Sequence, residues 1–508
     1  SHAADHRPDK IAIRFEGEEI TYAAFEQQIS RLAWVLKNTL AVATGDRIGH
    51  LAFNNPLCLA LVFACARIGA ILVPLNFRLA ENELAYLLQD AGARVLFTDD
   101  AFAPMCANVS LLPHGCKLVA LEATDLPADC ICLHELMDAA PQQGSESRAA
   151  NAEAPLLIVY TSGTTGQPKG VVLDHNAIRW NALNSQHMHG FTHDDHVLTL
   201  LPFFHVGGIN IQTLPAFHFG ATVTLQRQFD PAHVLATIVE QKPTLTVLVP
   251  TQMQALAELP QWESANLSSL RAVTTGSTLV DTTLLNIWRA RGIRTLQIYG
   301  CTESSPIAIN QAIDELESPL GSVGKPAKYC QVRLVDEQGE MVPVTHKGEI
   351  QLRGPNVMRE YWQKPQATAA SLRDGWFATG DIGYSDAAGN YFVVDRIKNM
   401  IISGGENIYP AELEQILLEH PDIEQAAVVG LPDARWGEIA AAAIVKQSAS
   451  QLDAAAVLRL FEGRVGHYKH PRQIIFMPDL PRNAMGKLLY ADVRSRLQTA
   501  SGVSDPVS

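Results

Sequence analysis

Strand-like and helix-like segments alternate over the first 135 or so residues, and this alternation restricts the chain to an α/β architecture with parallel strands. "KIAIRFEG" alternates apolar and polar side chains, as a strand does. In "TYAAFEQQISRLAWVLKNTL", Phe25, Ile29, Leu32 and Leu36 recur at helical spacing. "GDRIGHLAF", "GAILVPL" and "ARVLFTD" read as short strands between helices. The most apolar stretch, Leu57 to Leu75, is interrupted by Arg67 and Gly69 and closed by Pro74. It reads as a buried helix entering a strand, not a membrane span. Residues 139–154 are polar and aperiodic, as in an exposed connection. From about residue 322 to 395 the pattern becomes strand-rich with glycine turns. A smaller unit follows, with Pro410 at a helix start and Leu413, Ile416 and Leu417 on one apolar face.

A chain of 508 residues exceeds one hydrophobic core, so two or more domains are expected. The net charge of −14 argues against sequence-independent nucleic-acid binding, which needs a basic surface. Local loops rich in N–H donors can still hold anionic nucleotides. The eight cysteines show no paired metal-site spacing and are too sparse for a disulfide scaffold. They read as reduced thiols, with a cytoplasmic location as the expectation. No secretory leader is read, residues 499–508 look like a frayed tail, and a homodimer is the expected assembly.

"TSGTTGQPKG", Thr161 to Gly170, follows an apolar strand. Its glycines, hydroxyls and Lys169 supply the backbone N–H groups, O–H groups and cation that a polyphosphate requires. It is not a Walker loop, because Pro168 stands where the second glycine would be and Lys169 is followed by Gly170. No Gly-x-Gly-x-x-Gly fingerprint opens a helix, so a dinucleotide enzyme is not indicated.

This loop resembles the phosphate loop of the adenylate-forming superfamily, which comprises acyl- and aryl-CoA synthetases, firefly-type luciferases and peptide-synthetase adenylation domains. The resemblance covers nearly the whole chain, because further motifs follow in order. "YGCTES" at 299–304 is similar to the adenine and magnesium motif, and "TTGST" at 274–278 to the adenine wall. The resemblance implies ATP, Mg²⁺ and coenzyme A as cofactors and co-substrates. Thr161, Ser162, Gly163, Thr164, Thr165 and Lys169 would embrace phosphates, with Gly276, Ser277, Tyr299 and Gly300 around the adenine. Thr302 would meet the α-phosphate, and Glu303 would hold Mg²⁺. Asp381 in "WFATGDIG" would take the ribose hydroxyls, and Arg396 in "DRIKNMI" ribose or phosphate. Gly404 and Gly405 would flank a pantetheine tunnel, Trp436 would touch CoA, and Lys487 in "PRNAMGK" would be the catalytic lysine.

The implied architecture is a large N-terminal domain (1–395) with mixed sheets, helices and a β-rich region. A hinge (396–399, with Lys398) joins it to a small α+β C-terminal domain (400–498) that rotates between adenylation and thioester formation. "LPFFHVGGINIQTLP" at 201–215 resembles the acyl-pocket segment, with His205 where the acyl site meets the thiol tunnel and Val206, Gly207, Gly208 and Cys301 as pocket residues. The absence of Asp after Phe204 disfavours an amino acid substrate, and the absence of Arg in 202–215 disfavours a dicarboxylate. The aliphatic wall leads to a medium- or long-chain fatty acid as the expected substrate. Aryl acids of benzoate, cinnamate or ferulate type and the loading of a carrier protein stand as alternatives.

Overall fold

The computed structural model describes residues 2–106, 111–121, 130–141, 151–161, 168–276, 280, 282–315, 318–403, 406–433, 435–448, 450–462, 464–483 and 487–501. The chain divides into two compact units, residues 1–332 with 351–378 and residues 333–350 with 379–508.

The first unit is built on two large sheets. In the nine-stranded sheet, strands 295–299, 272–275, 245–247, 196–199, 222–225 and 11–15 run side by side in parallel, with antiparallel strands at both edges. In the eight-stranded sheet, strands 155–161, 71–74, 47–51, 93–98, 117–120 and 131–132 form the parallel part. Strands 169–174 and 360–361 add antiparallel to it. Parallel strands buried on both faces are near-continuously apolar, and Ile71–Pro74 is buried throughout.

The helix read from the apolar stretch spans Pro56–Ile68. It starts there because the Asn55 side chain accepts from the Cys58 N–H and Pro56 occupies the first turn. It stops because Gly69 takes a left-handed conformation (φ 75°). The strand Ile71–Pro74 follows at once. The core beside the nine-stranded sheet centres on Trp288 and Trp262, whose ring centroids lie 4.7 Å apart. The strand-rich region forms a five-stranded sheet from 331–335, 348–353, 376–385, 372–373 and 391–396.

The second unit contains a five-stranded sheet whose backbone is the long hairpin of Ile423–Asp433 and Gly437–Lys446. Strand alternation divides its side chains between two cores. Val428, Ala442 and Ile444 meet Leu413 and Leu417 of helix Pro410–Leu418, whereas Val429, Ala441 and Ala443 meet Val493 and Leu497 of helix Tyr490–Ser501. The expected α/β class, with a large N-terminal part and a small α+β C-terminal part, is what is observed. Among the described residues no helix is long and apolar enough to cross a membrane.

Candidate active site

Strands Pro155–Thr161 and Lys169–Asp174 pair antiparallel, with Thr161 opposite Lys169. The glycine- and hydroxyl-rich loop therefore leaves and re-enters one hairpin. Ser162, Gly163, Thr164 and Thr165 lie outside the described residues. The loop's return is held from below. The Trp362 N–H donates to the Gly170 carbonyl at 2.7 Å, and the Tyr86 hydroxyl donates to the Pro168 carbonyl at 3.4 Å. Gly170 can be nothing larger without displacement, since a β-carbon there would lie 2.7 Å from the Ile158 side chain. Under the hairpin, Asp90 accepts from the Tyr160 hydroxyl at 2.7 Å and from Lys364 Nζ at 3.0 Å.

The parallel strands 272–275 and 295–299 end at Gly276 and at Tyr299–Gly300. Carboxyl ends of parallel strands are where open α/β sheets bind ligands. Both glycines are required by close approach: a β-carbon would sit 2.5 Å from the Ile298 carbonyl oxygen at Gly276 and 1.6 Å from that of Pro306 at Gly300. Ser277 lies outside the described residues. Beyond Gly300 the chain makes a short helical turn, Thr302–Ser304. Cys301 N–H donates to Ser304 Oγ at 3.0 Å, Met358 N–H to the Glu303 carbonyl at 2.7 Å, and Asn356 Nδ2 to the Ser304 carbonyl at 2.8 Å. Thr302 and Glu303 are thereby held on a rigid turn, half-buried.

Glu303 and Lys169 belong to different motifs, and Tyr361 links them. The Tyr361 hydroxyl donates to Glu303 Oε1 at 2.9 Å, and Lys169 Nζ lies 5.2 Å from the centroid of the same ring. Burial and the Glu303 carboxylate push the Tyr361 phenol well above its usual range, so it stays a protonated donor. Sequence reading missed Tyr361. No motif marks it, and it reaches the site only because strand Glu360–Tyr361 pairs with strand 169–174, Tyr361 opposite Val171.

In the acyl-pocket segment, His205 precedes the short helix Val206–Asn210, and its ring lies against Phe204 with centroids 4.4 Å apart. Phe204 in turn meets Phe77 edge-on at 5.0 Å. Burial, with the nearby Arg78 cation adding to it, lowers the His205 pKa to about 4. The imidazole is therefore neutral at pH 7, and its Nε2 is buried without a partner among the described residues. Gly207 and Gly208 were both expected to leave room. Gly207 does: a β-carbon there would make ordinary contact at 3.7 Å with Ile211. Gly208 does not. The Pro202 and Leu201 carbonyls would lie 2.4 and 2.6 Å away, so its role is close backbone packing. Val206 is buried, and Cys301 is half-buried where its turn begins.

In the second unit, Asp381 and Arg396 stand opposite each other on paired strands, with Arg396 Nε 3.0 Å from Asp381 Oδ1. Asp395, which sequence reading passed over, organises the following turn. It accepts from Arg396 N–H at 2.6 Å, Asn399 Nδ2 at 3.2 Å and Ala411 N–H at 2.9 Å. Lys398 lies in the short helical turn Ile397–Asn399. Gly404 and Gly405 lie outside the described residues. Trp436 is half-buried between the guanidinium groups of Arg435 and Arg472, each 4.9 Å from its ring centroid. The backbone of Lys487 is gripped by Asn483: Lys487 N–H donates to Asn483 Oδ1 at 2.9 Å, and Asn483 N–H donates to the Lys487 carbonyl at 2.8 Å.

The model of the AMP-binding enzyme family matches residues 1–362, and that of the AMP-binding enzyme C-terminal domain matches residues 412–487. The chain belongs to the AMP-binding enzyme family. It is an AMP-forming acid–CoA ligase of that family, using ATP and CoA. Similar chains include the indoleacetate–CoA ligase of Aromatoleum aromaticum, 45% identical over 96% of this chain and 95% of the relative. The feruloyl-CoA synthase of an Amycolatopsis species is 40% identical over 96% of each chain. Among solved structures, the o-succinylbenzoate CoA synthetase of Bacillus subtilis, in complex with its acyl-adenylate intermediate, superposes with a TM-score of 0.85. It is 32% identical and covers 97% of each chain. These relatives act on aromatic acids, so the fatty-acid expectation finds less support among them than the aryl alternative.

Buried imidazoles give this ligase a pH signature. His50, His189, His196 and His205 are each held near pKa 4, chiefly by burial, against 6.5 in the unfolded chain. Below about pH 6.5 the unfolded chain binds more protons, so stability drains away as pH falls toward 4. Glu414 of the second unit runs the other way. Its pKa is raised to about 8 by burial, so its contribution is complete below pH 4.5 and is lost as pH rises through 8. Urea titrations at pH 7 and 5 are expected to show a net loss on the order of several kcal/mol at the lower pH. An unchanged midpoint would contradict the buried neutral imidazoles.

Proposed function

We propose that this ligase activates an aromatic carboxylic acid, of arylacetic or arylpropenoic type, as its CoA thioester. The observation that carries the reading is the likeness, at 45% and 40% identity over 96% of the chain, to ligases named for indoleacetate and ferulate. The local chemistry agrees with it. Phe204, Phe77 and the neutral His205 ring offer aromatic surfaces, and Gly207 offers space without a side chain. The aliphatic residues that suggested a fatty acid pack equally well on the faces of a planar ring.

In the first half-reaction a carboxylate oxygen of the acid attacks the α-phosphorus of ATP. The bond to the bridging oxygen breaks and pyrophosphate leaves with its electron pair. There is little covalent work for the protein here, and positioning and charge neutralisation dominate. Lys169 and the loop after Thr161 hold phosphates, Thr302 meets the α-phosphate, Tyr299 packs on adenine, Asp381 and Arg396 take the ribose, and Lys487 neutralises developing charge. In the second half-reaction the CoA thiolate attacks the acyl carbonyl and AMP leaves. Gly404, Gly405 and Trp436 serve the CoA arm, and the uncharged His205 borders the acyl carbonyl.

The residues fit Mg²⁺. Glu303 uses one oxygen for Tyr361, leaving acceptor capacity on its carboxylate. Among the described residues no group of three His, Cys, Asp or Glu could form a closed protein cage. One carboxylate plus substrate phosphates and water is the arrangement Mg²⁺ prefers. When bound, the ion would neutralise phosphate charge.

Pyrophosphate release and thioester formation should be compared for indole-3-acetate, phenylacetate, ferulate, benzoate, octanoate and palmitate. The expected kcat/KM for the preferred aryl acid exceeds that of either fatty acid by about 100-fold, the scale set by a pocket fitted to one shape. A fatty acid turned over faster than every aryl acid would overturn the reading.

A further inference from the structure

We propose that Tyr361 is the positioning residue of the nucleotide site, aiming the Glu303 carboxylate toward the metal-bound phosphates with its hydroxyl while its ring face keeps the Lys169 ammonium apart from that carboxylate. This rests on the adenylation reading above and adds a residue to it.

Glu303 and Lys169 carry opposite charges. They come from motifs 134 positions apart in the chain, yet both approach one tyrosine, at 2.9 Å from the hydroxyl and 5.2 Å from the ring centroid. Among the described residues they form no direct ion pair with one another. A direct pair would neutralise the cation needed for phosphate and the anion needed for the metal, and each would have to be broken before Mg–ATP could enter. An aromatic ring between them satisfies the ammonium through its negative face and the carboxylate through one hydroxyl hydrogen bond. It leaves the other carboxylate oxygen available.

Tyr361 is itself well fixed. It is only 6% exposed, and its N–H donates to Thr368 Oγ1 at 3.0 Å. Its strand is paired to the one that carries Lys169. Immediately before it, Met358 N–H holds the Glu303 carbonyl. Residues 358–361 thus clasp the Glu303 backbone at one end and its side chain at the other. Groups behind a metal ligand that fix its orientation typically alter metal affinity by about 10–100-fold when removed.

The test is equilibrium binding of ATP, by calorimetry, to the full-length wild type, Tyr361→Phe and Tyr361→Leu, with excess Mg²⁺ and with EDTA. Thermal midpoints accompany each titration. Tyr361→Phe keeps the ring and loses the hydroxyl. Its Mg–ATP affinity is expected to fall about tenfold, with metal-free affinity and thermal midpoint unchanged. Tyr361→Leu also removes the ring, so Lys169 can close on Glu303 and affinity falls in both conditions. Mn²⁺ binding to the enzyme–ATP complex, read by electron paramagnetic resonance, should weaken in parallel for the Phe variant. Equal losses with and without metal in Tyr361→Phe, or none in either, would overturn the assignment while leaving adenylation intact. Wild type that binds no ATP under either condition would overturn adenylation and the assignment together.

Discussion

Lys487→Ala is expected to cut pyrophosphate release by about 100- to 1000-fold, the scale for removing one preorganised charge-stabilising donor. It should leave thioester formation from supplied acyl-adenylate within about twofold of wild type, because phosphoryl charge no longer develops in that step. The variant is a clean one. The turn that presents this residue is held by backbone groups of Lys487 against Asn483, one bond to the N–H and one to the carbonyl, and alanine keeps both. The thermal midpoint should therefore stay put. Separate assays of the two half-reactions decide the matter, and equal damage to both would show that the lysine does not divide the labour as proposed.

Gly300→Ala should be nearly as severe, for a steric reason. The added methyl would lie 1.6 Å from the Pro306 carbonyl oxygen and 2.8 Å from Ser304 Oγ. The backbone atom cannot yield without moving the whole turn, which is stitched by Cys301 N–H to Ser304 Oγ and by Asn356 to two carbonyls. Overpacking of this kind costs about 1–3 kcal/mol of stability. The consequence for activity is larger, since Thr302 and Glu303 ride on the displaced turn and misplacement by about 1 Å costs on the order of 100-fold. A variant with wild-type kcat/KM and thermal midpoint would show that the turn relaxes elsewhere and that the glycine is not needed for geometry.

Both predictions concern residues that local sequence made visible. Glycines flanked by hydroxyls after an apolar strand, and a strand ending in Tyr-Gly, are short-range patterns. What fixes Gly300 is also short-range, because the turn just after it brings the Pro306 carbonyl within van der Waals reach, whereas Gly276 is required by the Ile298 carbonyl of the neighbouring strand. The helix from Pro56 and the strand after Gly69 were legible for the same reason, since cap, proline and left-handed glycine act within a few residues. The substrate was less legible. An aliphatic wall accepts an alkyl chain or the face of a ring, and composition does not distinguish a slot from a tunnel. Only the likeness to indoleacetate and feruloyl ligases inclined the reading to aryl acids.

By itself the sequence determined the α/β class, the division into a large and a small part, and the motifs of an AMP-forming ligase, because periodicity and backbone punctuation are local properties. Tertiary structure alone decided which charges meet. Strand 360–361 crosses to strand 169–174 and brings Tyr361 against both Lys169 and Glu303. Opposed strands pair Asp381 with Arg396, and Asp395 reaches forward to the helix at Pro410. These contacts depend on strand register across long stretches of chain, and register is set by the burial of whole faces at once, which no short run of residues displays.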